Sequence, residues 1–315
     1  MKKLCFMLTV LFSVSMVVFA GGQKQDNASG KRTIAFATST LNNPFMVTIR
    51  DTLQQLADER GDTLMVLDPQ YNQATQISQI EDAVTRGVSA IFMIHVDKNG
   101  VRSGIERAYE AGIPVFGIDD PLIDTDLVVS NIYSNNHYAG IVGGQAMLKD
   151  FPNGAKIAII DSPTMMGPVD RVNGFKEALG SNLSKFNIVA QQDGKATTAD
   201  AQPIAENVLQ AHPDIQAFFC INDPNALGVI AALRAEGKNG KVYVYSVDGS
   251  PAAKAELKSG DLRITAAQSP INLAKTTYET FEKFARGEQI EKEILVSTFG
   301  ITAENVDEYT VDKWQ

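Results

Sequence analysis

The chain is 315 residues long, 44% hydrophobic and 21% charged, with 37 acidic against 28 basic side chains and a formal net charge of −9. That acidic surplus repels nucleic acid and anionic lipid, which disfavours nucleic acid as a partner. The length suits two lobes rather than one, and lobes of that size can bury a stable core without disulfides.

Lys2 and Lys3 precede an apolar run over residues 4–20 that ends Val18-Phe19-Ala20 and is followed by two glycines. A basic start, a run slightly too short for a membrane span and a small-residue end read as a secretory signal peptide over 1–20. Cleavage would remove 20 residues and two positive charges, leaving 295 residues and a charge of about −11. Cys5 would leave with the signal, at the wrong end of the run for a lipid anchor, and Cys220 would remain without a disulfide partner. Residues 21–31, rich in Gly, Gln, Asn and Ser, read as a flexible leader.

From Arg32 onward, short apolar runs alternate with segments of helical periodicity. Strands are predicted at 32–38, 63–67, 90–94, 114–118 and 127–129, with helices at 44–60, 73–87, 98–111 and 136–149. The rhythm continues with strands 155–160, 187–191, 217–221, 241–247, 262–267 and 293–298. Helices 168–180, 199–211, 224–236, 251–258 and 272–286 fall between them. Continuous apolar strands that alternate with helices belong to parallel sheets covered on both faces, so the fold class is α/β.

The run Ala90-Ile91-Phe92-Met93-Ile94-His95 aligns with Ala217-Phe218-Phe219-Cys220-Ile221-Asn222, and Pro114-Val115-Phe116-Gly117-Ile118-Asp119 aligns with Tyr243-Val244-Tyr245-Ser246-Val247-Asp248. This weak internal repeat predicts two similar Rossmann-like lobes. Right-handed crossovers gather the strand-to-helix turns on one edge of each sheet, and two such edges turned toward each other make a cleft.

Enzyme signatures are missing from the sequence. There is no P-loop, no G-x-G-x-x-G after the first strand of either lobe, and no G-x-S-x-G elbow. His95, His137 and His212 lack metal-ligand spacing, and Cys220 sits inside an apolar run as a core residue. Neither a cofactor nor a metal is expected. What recurs at strand ends is a set of planar polar side chains, Asn43, Asp119, Arg171, Asn222, Asp248 and Gln268, each able to form paired hydrogen bonds to adjacent hydroxyls. Phe45 can cover the C–H face of a sugar ring. Singly, each has a plainer reading: Asn43 as the cap of its helix with Pro44 at the first position, Asp248-Gly249 as a turn, Arg171 as a partner of Asp170 or Glu177 on a solvated face. Their co-occurrence at equivalent strand ends favours a binding cleft.

The stretches Ser39-Thr40-Leu41-Asn42-Asn43-Pro44-Phe45, Gly117-Ile118-Asp119, Arg171-Val172-Asn173-Gly174-Phe175, Ala211-His212-Pro213-Asp214-Ile215-Gln216-Ala217, Asn222-Asp223, Val247-Asp248-Gly249 and Ala267-Gln268 resemble the periplasmic ribose-binding protein family, in order over residues 32–300. The resemblance implies a two-lobed fold of periplasmic binding protein type I with three hinge crossings, near Tyr133, Gln268 and Ser297. The first lobe would comprise 32–133 plus 268–297, the second 134–267 plus 298–315. It implies a monomer in the periplasm that closes around one monosaccharide or polyol and hands it to an inner-membrane ABC permease. Ser39, Asn43, Phe45, Met46, Asp119 and Asp120 would line the cleft from the first lobe, Arg171, Asn222 and Asp248 from the second, and Gln268 from a crossing.

Three departures from the family pattern bear on the ligand. Asp120 follows Asp119 where ribose binders have an arginine, Met46 replaces the second aromatic of the first lobe, and Ala196 or a neighbour stands where the second lobe usually supplies an aromatic. These point to a ligand other than ribose. Asp120 either faces the cleft, where it would suit an amino-sugar or another cationic ligand, or points to solvent. A chemotaxis or sensor-kinase receptor would share fold and site. A sugar-responsive repressor needs an N-terminal helix-turn-helix, which residues 1–31 do not offer.

Overall fold

The computed structural model describes residues 31–315, so the predicted signal peptide, and the leader up to residue 30, lie outside the described residues. The first lobe contains β1 (Thr33–Ala37), α1 (Pro44–Arg60), β2 (Thr63–Leu67), α2 (Gln73–Thr85), β3 (Ala90–Met93), α3 (Arg102–Glu110), β4 (Val115–Asp119) and β5 (Ser130–Ser134). The chain then crosses to α4 (Asn136–Asp150), β6 (Lys156–Asp161), α5 (Met166–Leu179), β7 (Asn187–Asp193), α6 (Thr198–Ala211), β8 (Ala217–Cys220), α7 (Asp223–Ala235), β9 (Tyr243–Asp248), α8 (Pro251–Ser259) and β10 (Ile264–Ala267). It returns for α9 (Pro270–Ala285) and β11 (Glu293–Val296) and crosses a third time into β12 (Phe299–Thr302).

The sheets have the orders β11-β5-β4-β3-β1-β2 and β12-β10-β9-β8-β6-β7, parallel throughout except that β12 runs antiparallel to β10. Apart from β11 and β12, the two orders are the same, each the doubly wound 2-1-3-4-5 arrangement. The internal repeat therefore has a structural meaning. β3 and β8 hold the third place in their lobes and β4 and β9 the fourth, so His95 matches Asn222 and Asp119 matches Asp248 at equivalent strand ends.

Helices cover both faces of each sheet. On one face of the first sheet Phe36, Phe92 and Phe116 pack against Ile49 and Leu53 of α1 and Leu273, Tyr278 and Phe281 of α9. On the other, Ala35, Ile91 and Met93 meet Ile80 of α2 and Ile105 of α3. Each fully buried large side chain contributes about 1.5–3 kcal/mol. Cys220 lies in the core of the second lobe.

Three elements differ from expectation, the first being β12, a strand the apolar pattern does not predict. The fifth strand is not 127–129 but Ser130–Ser134, a polar run whose Asn131 is buried, accepting a hydrogen bond from Leu122 N at 2.9 Å and donating one to Leu122 O at 3.0 Å. A β-carbon on Gly117 would lie 2.0 Å from Asn131 Oδ1, so the bare glycine of β4 makes room for this buried amide. Helix α3 begins at Arg102 rather than 98, because the Asp97 carboxylate accepts from Asn99 N and Gly100 N and closes a turn there.

In the second lobe α4 and α5 touch backbone to backbone. A β-carbon on Gly140 would sit 2.0 Å from Arg171 O, and one on Gly174 would sit 2.0 Å from His137 O. That approach fixes the depth of α5, and with it the position of Arg171.

Candidate ligand-binding site

All ten residues singled out from the sequence line one cavity between the lobes. On the first-lobe side, β1 runs into a buried turn in which Ser39 Oγ has no hydrogen-bond partner among the described residues. Asn43 caps α1, its Oδ1 accepting from Phe45 N at 2.9 Å, and Pro44 opens the helix, so the capping and wall-forming roles fall within one turn. Phe45 is 3% exposed and meets the edge of Trp314, the only tryptophan of the chain, with ring centroids 5.3 Å apart. Met46 is buried beside it. Strand β4 ends in Asp119, whose φ of 70° is left-handed, a conformation aspartate and asparagine tolerate better than other side chains. Its carboxylate takes no hydrogen bond from any described residue. Burial pushes its pKa up to about 7 against the attraction of Arg171, with the Asp120 charge adding to the rise.

On the second-lobe side, Arg171 lies buried inside the cavity wall, not on a solvated face. Its Nε donates to Asn136 Oδ1 at 2.8 Å, and its Nη1 donates to Ile221 O at 2.8 Å and to Asp248 Oδ1 at 3.5 Å. Glu177, a candidate partner by sequence, instead lies 3.0 Å from His137 Nε2. Asn222 caps α7 by accepting from Asn225 N at 3.0 Å and donates to Ala196 O at 3.2 Å. Asp248 accepts from Gln268 Nε2 at 2.7 Å and from Asp223 N at 3.3 Å. Burial pushes its pKa up to about 8, opposed by Arg171. Behind it, buried Asp223 accepts from the Ser246 hydroxyl, from Thr265 Oγ1 at 2.8 Å and from Ser250 N at 2.7 Å, which locks the end of β9 to the start of α8.

Asp120 points neither to solvent nor freely into the cavity. It is 2% exposed, and its two oxygens accept from Met166 N at 3.1 Å and Gly167 N at 2.5 Å, the first amides of α5 in the opposite lobe. His95 Nε2 lies 2.9 Å from Asp120 Oδ2 on the first-lobe side. A carboxylate at a helix N-terminus satisfies orphan amides and meets the positive end of the helix dipole, so Asp120 fastens one lobe to the other.

Three buried polar atoms on the cavity wall lack partners among the described residues: Ser39 Oγ, Asn136 Nδ2 and Gln268 Oε1. Each such group costs about 1–3 kcal/mol unless something pairs with it. With Asp119 they form a ring of unmet hydrogen-bonding capacity, both donor and acceptor, drawn from both lobes. The C-terminal residues brace the back of this ring. Gln315 Nε2 donates to Gln268 O at 2.6 Å and Asp248 O at 3.3 Å, and buried Lys254 holds the tail through Thr310 O at 2.7 Å and Lys313 O at 2.5 Å.

Sequence reasoning missed Asn136 and Tyr71, both on the wall. Asn136 was hidden by the misplaced fifth strand. With the strand at Ser130–Ser134, the Asn135-Asn136 pair stands at a strand end like the other site residues. Tyr71 carried a weaker signal, an aromatic residue in the Pro69-Gln70-Tyr71-Asn72 turn after β2.

The sequence profile of the periplasmic binding protein domain matches residues 34–289. The chain belongs to the periplasmic binding protein family. It is 34% identical over 292 residues to the ribose import binding protein RbsB of Escherichia coli K12, covering 92% of this chain and 95% of that one. It is 28% identical to the D-apiose import binding protein of Paraburkholderia graminis, covering 82% and 83%. Among solved structures, an ABC transporter solute-binding protein from Bacillus halodurans C-125 with bound myo-inositol superposes with a TM-score of 0.84 at 26% identity, covering 91% of this chain and all of that one. A galactofuranose-binding protein superposes at 0.83 with 25% identity, covering 88% and 96%. Both of the sequence relatives are named as import binding proteins for sugars.

Proposed function

We propose that the protein captures one neutral polyhydroxylated ring, a monosaccharide or cyclic polyol other than ribose, between its lobes and delivers it to an inner-membrane ABC permease. The observation that carries this reading is the pair Asp119 and Asp248, one from each lobe, sharing a buried cavity with Arg171 and with unpaired atoms of Ser39, Asn136 and Gln268. Ligand hydroxyls donate to the carboxylates and Gln268 Oε1 and accept from Arg171 and Asn136, while Phe45 covers a C–H face. Met46, Ala196 and the absence of an arginine at position 120 support a ligand other than ribose. The cationic-ligand alternative loses its main support, because both Asp120 oxygens are taken by α5 amides. Secretion through the signal peptide over 1–20, a monomeric state and action in the periplasm belong to the same proposal.

The test is a thermal-shift screen of the purified protein against monosaccharides and cyclitols, followed by mass spectrometry of the recovered ligand. A binder gains about 2.7 kcal/mol at a hundredfold excess over its dissociation constant and returns the ligand unchanged. Turnover of the ligand, or no shift with any sugar or polyol, refutes the proposal.

A further inference from the structure

Among the described residues, the cavity wall carries one aromatic residue besides Phe45, Tyr71, and the two differ in depth. Phe45 is 3% exposed and Tyr71 39%, so Tyr71 stands at the solvent side. Its backbone is unusual. Gln70 and Tyr71 are consecutive non-glycine residues with φ of 52° and 61°, a left-handed conformation that costs an L side chain roughly 1–2 kcal/mol. A glycine would adopt it freely.

The turn is held by its surroundings. Gln70 N donates to Asp68 Oδ1 at 3.0 Å, Asn72 N donates to Pro69 O at 2.9 Å, and Tyr71 N donates to Ser39 O at 2.9 Å. The last of these ties the Tyr71 turn to the turn that carries Ser39 and Asn43. Strained backbone over-determined in this way concentrates at ligand clamps. The phenol also lies in the field of Asp119, whose charge, after burial, raises the Tyr71 pKa and keeps the hydroxyl protonated as a donor.

We propose that Tyr71 is a specificity-determining residue of this site, its ring forming the solvent-side wall of the first-lobe half and its hydroxyl reading a ligand hydroxyl adjacent to the one held by Asp119. The inference rests on the sugar-binding reading above. It assigns the ligand to rings large enough to present a hydroxyl or hydroxymethyl group toward the cleft mouth, a hexose or a cyclitol, and it restores on the β2–α2 turn the aromatic surface that Met46 and Ala196 withhold.

The test compares wild type, Y71F and Y71G by calorimetry with D-galactose, D-allose, D-fructose, myo-inositol and D-ribose, and measures Tm of each protein without sugar. For the tightest of these probes, Y71F is expected to bind about tenfold more weakly, Y71G more weakly still, and the preference over D-ribose is expected to shrink in both. The Tm of empty Y71G is expected at or above that of wild type, because glycine relieves the strain. Affinities within twofold of wild type, an unchanged preference over D-ribose, or a Y71G Tm lowered together with its affinity each overturn the role of Tyr71 and leave the sugar-binding reading standing. Wild-type protein that binds none of the five probes overturns the role of Tyr71, and the sugar-binding reading falls with it only if the wider screen also gives no shift.

Discussion

Replacing Asp119 by asparagine separates binding from folding. The substitution keeps the shape of the side chain and suits the left-handed φ of 70° at this position. It removes one charged acceptor, and hydrogen bonds to charged groups contribute about 1.5–3 kcal/mol each, so the dissociation constant is expected to rise about ten- to hundredfold for one ligand hydroxyl and further for two. Stability should move the other way. The Asp119 pKa is raised from 3.8 to about 7 in the folded protein, so the folded state holds a proton that the unfolded chain releases. The sign follows: this group contributes most below about pH 4, and its contribution is lost as pH rises toward 7. The loss amounts to about 4 kcal/mol at pH 8, at 1.36 kcal/mol per unit. Burying an amide costs about 1–3 kcal/mol, so empty D119N is expected to melt at or a few degrees above wild type at pH 8, with the advantage gone near pH 4. Differential scanning fluorimetry at several pH values and calorimetry with the preferred sugar measure both effects. Unchanged affinity, or a Tm lowered equally at every pH, refutes the reasoning.

Ligand affinity should itself depend on pH: with Asp119 and Asp248 raised to about 7 and about 8 in the empty site, hydroxyl donors that favour the ionised forms expel protons. Affinity is therefore expected to rise from pH 5 to about 8, by up to tenfold per unit for each proton released, and to level off above; a flat profile by calorimetry contradicts it. Gly174→Ala would gain up to about 1 kcal/mol from helix propensity alone, but its β-carbon meets His137 O at 2.0 Å, so a lower Tm and at least tenfold weaker binding are expected as α5 and Arg171 move outward. Asp120→Ala removes two amide bonds between the lobes, so it should weaken binding of every ligand by a similar factor and enlarge the radius of gyration of the empty protein in small-angle scattering; a change in ligand ranking would instead assign Asp120 to the ligand.

The legible parts of the fold were those with local causes. Strands such as Ile34–Ala37 are apolar throughout because both sheet faces are covered, and Asn43-Pro44 marks the start of α1 by the chemistry of its own turn. The strand-end residues could be chosen because parallel topology collects strand ends on one edge. What sequence could not show depends on partners distant in the chain. Ser130–Ser134 is a strand because Leu122 satisfies Asn131 and Gly117 leaves it room, while the more apolar Leu127-Val128-Val129 stops short of it. The direction of Asp120 follows from the left-handed turn at Asp119, and its partners lie 46 and 47 residues onward. Tyr71 reaches the site through a backbone conformation that no side-chain pattern reports.

At the cleft, groups that would oppose and groups that would favour the proposed closure have comparable size. Ser39 Oγ, Asn136 Nδ2 and Gln268 Oε1, buried without partners, together cost about 3–9 kcal/mol. The two amide bonds to Asp120 offset about 3–6 kcal/mol. Under the proposed hinge closure these two contributions oppose each other, and the burial of Asp119 and Asp248 adds to the cost of closing without ligand. A ligand that satisfies these same groups need supply only that difference to populate the closed form, since an equilibrium shifts by the ligand's differential affinity for the two states. A wrong ligand that leaves even one carboxylate unpaired forfeits a large part of it. In the proposed binding mode the residues that read the ligand are also the ones that oppose closure without it, so recognition and closure draw on the same hydrogen bonds.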